Sequence, residues 1–171
     1  MSYYFSTRVR GTFADALDRA RKALQAEGFG IISEIDVART LKEKIGVDFR
    51  PYMILGACNP ALAHEALKIE DKVGTMLPCN VVVQATDEGA EVAAIDPVAS
   101  MRAIENEQLG LKARQVADRL RRAIDLLGGE RGPGQAELEG HEAEVERHAE
   151  ASRRELDSIA PAGTDPLHEG P

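Results

Sequence analysis

Pro51-Tyr-Met-Ile-Leu-Gly-Ala-Cys58-Asn59-Pro60-Ala-Leu-Ala-His64-Glu-Ala-Leu-Lys-Ile69-Glu-Asp-Lys-Val-Gly74-Thr-Met-Leu-Pro78-Cys79-Asn80 carries both cysteines of the chain and its clearest turn chemistry. It reads as strand, cap, helix, turn, strand. The apolar run Tyr52 to Ala57 suits a strand buried on both faces, and Asn59-Pro60 is an N-cap followed by proline at the first helical position, where its missing N–H costs nothing. Leu62, Ala66 and Ile69 then share one side of a helix. Asp71 to Gly74 turns the chain, Pro78 marks the entry to the next strand, and Val81-Val82-Val83 continues it with β-branched residues.

Working outward, Tyr3, Phe5, Thr7 and Val9 alternate with polar neighbours, so residues 2 to 10 form a strand with one face toward a core. Thr12 caps a helix with Phe13, Ala16, Leu17, Ala20 and Leu24 at helical spacing, and Gly28 ends it. Phe29 to Asp36 is a second strand, with Glu34 and Asp36 expected on one solvent face. Asp36 also caps a short connecting helix carrying Val37, Leu41 and Ile45, which Gly46 stops. After the central stretch, Asp87-Glu88-Gly89 is a hairpin turn into a strand over 91 to 96. A last helix runs from about Glu107 to Leu127, with Arg119, Arg121 and Arg122 toward its C-terminal half, where the helix dipole favours them.

Composition sets the limits. Of 171 residues 43% are hydrophobic but only 4% aromatic, and tryptophan is absent, so the core is aliphatic and a stacking platform for nucleic acid is poor. Charge marks a boundary near Gly128: residues 129 to 171 hold four basic and eleven acidic side chains, net −7, while residues 1 to 128 are almost neutral at −1. That balance excludes phosphate-backbone binding, which depends on Lys and Arg displacing counterions. No signal peptide and no run of the ~20 apolar residues that a membrane span needs is present, so a cytosolic protein is expected, with no nucleic-acid or membrane partner. The domain division is 1–128 for the folded domain, 129–134 for a Gly/Pro linker and 135–171 for an acidic, partly helical or disordered tail.

The order strand, helix, four strands, helix, with Gly-Phe-Gly-Ile-Ile-Ser-Glu-Ile-Asp-Val at 28 to 37, Leu-Lys-Glu-Lys-Ile-Gly-Val-Asp-Phe-Arg-Pro-Tyr at 41 to 52, Ile-Leu-Gly-Ala-Cys-Asn-Pro at 54 to 60, Leu-Pro-Cys-Asn-Val-Val-Val at 77 to 83 and Ile-Asp-Pro at 95 to 97, resembles the bacterial and archaeal domain-of-unknown-function family numbered 302. The resemblance covers residues 3 to 127. It implies an α+β fold of the TATA-binding-protein-like type, an antiparallel sheet in β-α-β-β-β-β-α order with helices packed on it, and a homodimer. It implies no reaction, and the fold does not import DNA binding, because function belongs to the site.

Candidate site residues gather in the central stretch. Cys58 and Cys79 stand at one strand end and one strand start, so antiparallel pairing of those strands with coinciding faces brings them close. Such a pair suits a reversible disulfide, or two thiolates for a soft metal such as Zn(II) or Cu(I) with Met76 or His64 nearby. The competing reading, which the missing CxxC spacing favours, is two small buried apolar side chains. Asn59 and Asn80 could hydrogen-bond a small ligand, or cap and bond local backbone. Glu34 with Asp36 reads better as a surface charge and a cap than as an acid/base dyad. Two function classes follow: a small-ligand-binding or sensing module with a pocket between sheet and helices near the cysteines, favoured, and a thiol-dependent redox or metal-handling protein using Cys58 and Cys79. Neither fixes a cofactor or establishes an enzyme.

Overall fold

Alternation in β1 (Tyr4–Val9) turns Phe5, Thr7 and Val9 inward and leaves Tyr4, Ser6 and Arg8 outside. The computed structural model describes residues 2–128; the linker and acidic tail expected at 129–171 lie outside the described residues. After β1 come α1 (Phe13–Ala26), β2 (Gly30–Asp36), α2 (Val37–Ile45), β3 (Tyr52–Cys58), α3 (Pro60–Ile69), a 3-10 helix (Asp71–Met76), β4 (Cys79–Thr86), β5 (Gly89–Ile95), α4 (Pro97–Ser100) and α5 (Glu107–Leu127). The fold is α+β, as expected. Asp71 to Gly74, read as a simple turn, is the start of the 3-10 helix.

All five strands form one antiparallel sheet in the order β1-β5-β4-β3-β2. Its buried side chains, Val9, Leu55, Ala57, Cys79, Val81, Val83, Ala90, Val92 and Ala94, all lie on the face covered by α1 and α5. The opposite face buries only Gly56. The apolar run of β3 therefore belongs to a strand buried on one side for most of its length. Gly56 is where the open face closes, because a Cβ there would overlap Ser33 Oγ and lie 2.8 Å from Pro78 Cγ.

Five helices begin at a side-chain oxygen that accepts an otherwise unpaired backbone N–H: Thr12, Asp36, Asn59, Asp96 and Asn106. The two long helices also fasten each other's ends. Arg19 in α1 donates to the Leu127 carbonyl at the end of α5, and Arg119 in α5 donates to the Glu27 carbonyl at the end of α1. Residue 19 thus lies near 127 and 27 near 119, so α1 and α5 run antiparallel. Arg122 adds an ion pair to Glu27 at 2.9 Å, and Arg121 lies over the Phe5 ring at 4.4 Å. Arg119 and Arg122 accordingly serve the C-terminus of α1, whereas the sequence placed them by the dipole of their own helix.

Strand β2 departs from simple alternation. Its register against β3 shifts between Ile31 and Ser33, so one residue is extra and the pleat phase changes. Glu34 consequently lies opposite Leu55, on the helix-bearing side, and accepts two bonds from Arg21 of α1 at 2.7 and 2.9 Å. Asp36 instead caps α2 through Arg39 N–H at 2.9 Å. Glu34 and Asp36 do share a pleat face, opposite Leu55 and Met53, but it is the helix-bearing face of the sheet and not the open one.

Candidate functional site

Two hydrophobic clusters divide the interior. The larger lies between the sheet and α1 with the C-terminal part of α5; the smaller joins Ala66 of α3, Val73 of the 3-10 helix and Leu109 of α5, with Ile69, Leu77, Met101 and Ile104 around them. Between the clusters runs a cleft. It is lined by Phe29, Ala57, Cys58, Asn59, Leu62, Ala63, Ala66, Leu77, Cys79, Pro97, Met101, Leu109, Lys112, Ala113 and Val116. The cleft is a seam with a packing cause, since Ala57, Ala63, Ala66 and Ala113 contribute only methyl groups where larger side chains would close it.

Three of the four sequence-derived candidates meet here. Cys58, Asn59 and Cys79 line the cleft, while Asn80 is exposed and pairs with Gly56 on the open sheet face. Asn59 is committed on both sides: its Oδ1 accepts from Leu62 N–H at 3.1 Å and its Nδ2 donates to the Gly28 carbonyl at 3.2 Å. It holds the β3–α3 turn against the α1–β2 turn. Gly28 permits that approach, with φ +84 and the Asn59 amide and Arg119 guanidinium both 3.3 Å from where a Cβ would sit.

The two thiols are free and differ in character. Cys79 is buried, and burial, with a smaller push from Cys58, raises its thiol to about 11. It is therefore protonated at neutral pH and a poor nucleophile. Cys58 is half-buried. The Cα partner of Cys79 across the β3–β4 ladder is Ala57, so Cys58, one residue on, occupies the opposite pleat phase with Ile54 and Gly56. The faces expected to coincide do not; the thiols share the cleft because β3 ends at Cys58. His64 is exposed, and Met101 rather than Met76 reaches the cleft. Among the described residues, no group of three or more His, Cys, Asp or Glu could hold a metal ion.

Lys112 is the one charged side chain of the lining. Its ammonium pairs with Glu65 Oε2 on α3, and this bond holds the Glu65 carboxyl below the ordinary carboxylate range. Glu65 itself is outside the lining. Sequence reading missed Lys112, Met101 and Leu109 because they come from α5 and the turn before it, more than twenty residues beyond Cys79 and more than forty beyond Cys58. The available signal was the facing of small residues on α3 and α5.

In chemical terms the site is an apolar slot. Its cavity volume is about 30 Å³, room for roughly two waters, whereas sites that engulf a metabolite run to hundreds. It can take the apolar end of a ligand whose remainder stays at the mouth.

A family model described as "Domain of unknown function DUF302" matches residues 5–127. A crystal structure of an uncharacterized conserved DUF302 protein from Bacillus stearothermophilus is similar with a TM-score of 0.70 and 27% identity, covering 74% of this chain and 99% of that one. No curated protein matches the chain. Among the described residues no helix is long and apolar enough to cross a membrane.

Proposed function

We propose, for a chain that belongs to the DUF302 family and takes no reaction from it, that the domain is a small-ligand-binding or sensing module whose site is the cleft between α3, α5 and the cysteine-bearing ends of β3 and β4. The observation that supports this reading is the seam itself: an apolar slot left open by four alanines between two packed clusters, flanked by a thiol that burial keeps protonated. A protonated Cys79 thiol in an apolar cavity favours binding over thiol chemistry. Filling the slot tests it. Ala63→Leu should abolish binding of small apolar probes observed by ligand-detected NMR while leaving the unfolding free energy within about 1 kcal/mol of wild type. Wild-type protein that binds no such probe would remove the reading.

A second reading, thiol-dependent redox or soft-metal handling by Cys58 and Cys79, is supported by the presence of both cysteines in one cleft and by the influence of Cys58 on Cys79. Metal analysis and thiol titration of freshly purified protein separate the two: stoichiometric Zn(II) or Cu(I), or a reversible disulfide, would favour the second. The proposal includes a homodimer and a cytosolic setting without nucleic-acid partners. The free thiols and the near-neutral charge of residues 1 to 128 support the last two.

A further inference from the structure

Building on the homodimer proposed above, we infer that two copies stack their open sheet faces about a two-fold axis along β4, so that Arg50 of each pairs with the partner's Glu91. Val83 and Val92 are buried on the helix side, so their neighbours Gln84 and Glu91 lie on the open face, in one row with Tyr52 of β3 and Arg8 of β1. Arg50 joins that row from the loop before β3. Its Nε and Nη2 both donate to Gln84 Oε1, at 3.0 and 2.8 Å, and its guanidinium carbon lies 4.5 Å from the Phe49 ring centre and 5.7 Å from that of Tyr52. The groups that hold this cation are all neutral. Its outer edge, Nη1 and the second N–H of Nη2, has no partner among the described residues. Glu91 is half-buried, one strand beyond Gln84, and among the described residues it has no ion pair, either with Arg50 or with Arg8, its exposed partner across the β1–β5 ladder.

One end of the open face thus carries an anchored cation on the β3 side of β4 and a carboxylate on the β5 side. Symmetry decides what meets them. β4 is the middle strand of five, and a two-fold axis along it preserves height along the strands while exchanging β3 with β5. Val82 then meets its own copy at the axis, Ile54 lies over the partner's smaller Ala93, and the Arg50 and Tyr52 end lies over the partner's Glu91. Both copies make the ionic contact, so it occurs twice. Aligned sheets cross at about 30° because each is twisted, and the correspondence therefore holds for the three central strands, where both charges sit. An axis across the strands would instead lay Glu91 over the partner's Ile95 and bury the carboxylate without a counter-charge, which is a costly contact. Arg8, Arg50 and Glu91 are the charged side chains of these rows, so the face suits a copy of itself better than a polyanion.

Two charge reversals in the full chain test the pairing, with sedimentation velocity as readout and circular dichroism as the check of folding. Arg50→Glu sets two carboxylates against each other at each contact and Glu91→Arg two guanidiniums, so each should weaken the dimer at least about tenfold. Mixed in equal amounts, the two variants should dimerise with near wild-type affinity, because each contact of the mixed dimer again unites one cation with one carboxylate. Glu91→Gln keeps the shape of the side chain and covers the case in which a reversal disturbs folding. It should weaken the dimer severalfold and remove the part of the wild-type affinity that salt screens. Reversals that leave the dimer unchanged, a mixture as weak as either variant alone, or a Glu91→Gln dimer with wild-type affinity and salt dependence would each overturn the pairing while leaving a dimer of another register. A monomeric wild type removes the homodimer and the inference with it.

Discussion

At the scale of single residues, Cys79 and Gly56 make the sharpest demands. Cys79 has its thiol raised from an ordinary 9.0 to about 11, which means that the folded chain holds this proton more tightly than the unfolded one. Its contribution to stability is full below pH 9 and is lost as pH rises toward 11, with a slope of at most about 1.4 kcal/mol per pH unit. Urea denaturation of wild type and Cys79→Ala across that window should show the extra loss in wild type alone. Thiol labelling at pH 8 should modify Cys58 first and Cys79 only on unfolding; comparable rates would contradict the burial of Cys79. Gly56→Ala makes the opposite kind of demand, forcing a methyl onto Ser33 Oγ and Pro78 Cγ where β2, β3 and the entry to β4 converge. A loss of about 1–3 kcal/mol is expected by the same measurement, partly recovered by adding Ser33→Gly.

At the scale of elements, Asn59 joins three of them. Asn59→Ala removes the α3 cap and the bond to the Gly28 carbonyl together, so about 1–2 kcal/mol should be lost, more than a surface cap alone. Chemical denaturation checks the value, and Asn59→Asp should recover the cap but not the donor to Gly28. This element was legible in the sequence because Asn-Pro before an amphipathic run is local chemistry, and the same holds for Thr12, Asp36 and Gly46. The open slot was legible only in outline. Strand register depends on partners far along the chain, so nothing in Cys58-Asn59-Pro60 told that Ala57 would face Cys79. The β2 irregularity likewise left no local mark, and it moved Glu34 to the helix side, where Arg21 occupies both carboxylate oxygens. Lys112 was invisible for the same reason: its place beside the cysteines is a product of how α3 meets α5.

At the scale of the whole molecule, residues 2–128 hold every described element, and the family match ends at residue 127. The similar crystal structure has 99% of its chain covered by 74% of this one. Truncation after Gly128 should therefore keep a single cooperative unfolding transition, and its loss in calorimetry would show that the acidic segment belongs to the core. The proposed homodimer draws on the sheet's asymmetry. One face is sealed by α1 and α5, and the other presents Ile54, Val82, Ala93 and Ile95 beside Tyr4 and Ile35, which are 40% and 48% exposed. An antiparallel sheet can leave one face in water when that face alternates to polar residues, and here its centre is apolar. A second copy related by a two-fold axis offers the same surface, so stacking the two faces would bury matching apolar strips. Wild-type protein is accordingly expected to sediment as a dimer at tens of micromolar. Val82→Lys, which puts a charge at the middle of that face without touching the helix-side core, should sediment as a folded monomer with an unchanged far-ultraviolet circular dichroism spectrum. A monomeric wild type would end the dimer proposal, and a dimer that tolerates the lysine would move its interface to another surface of the domain.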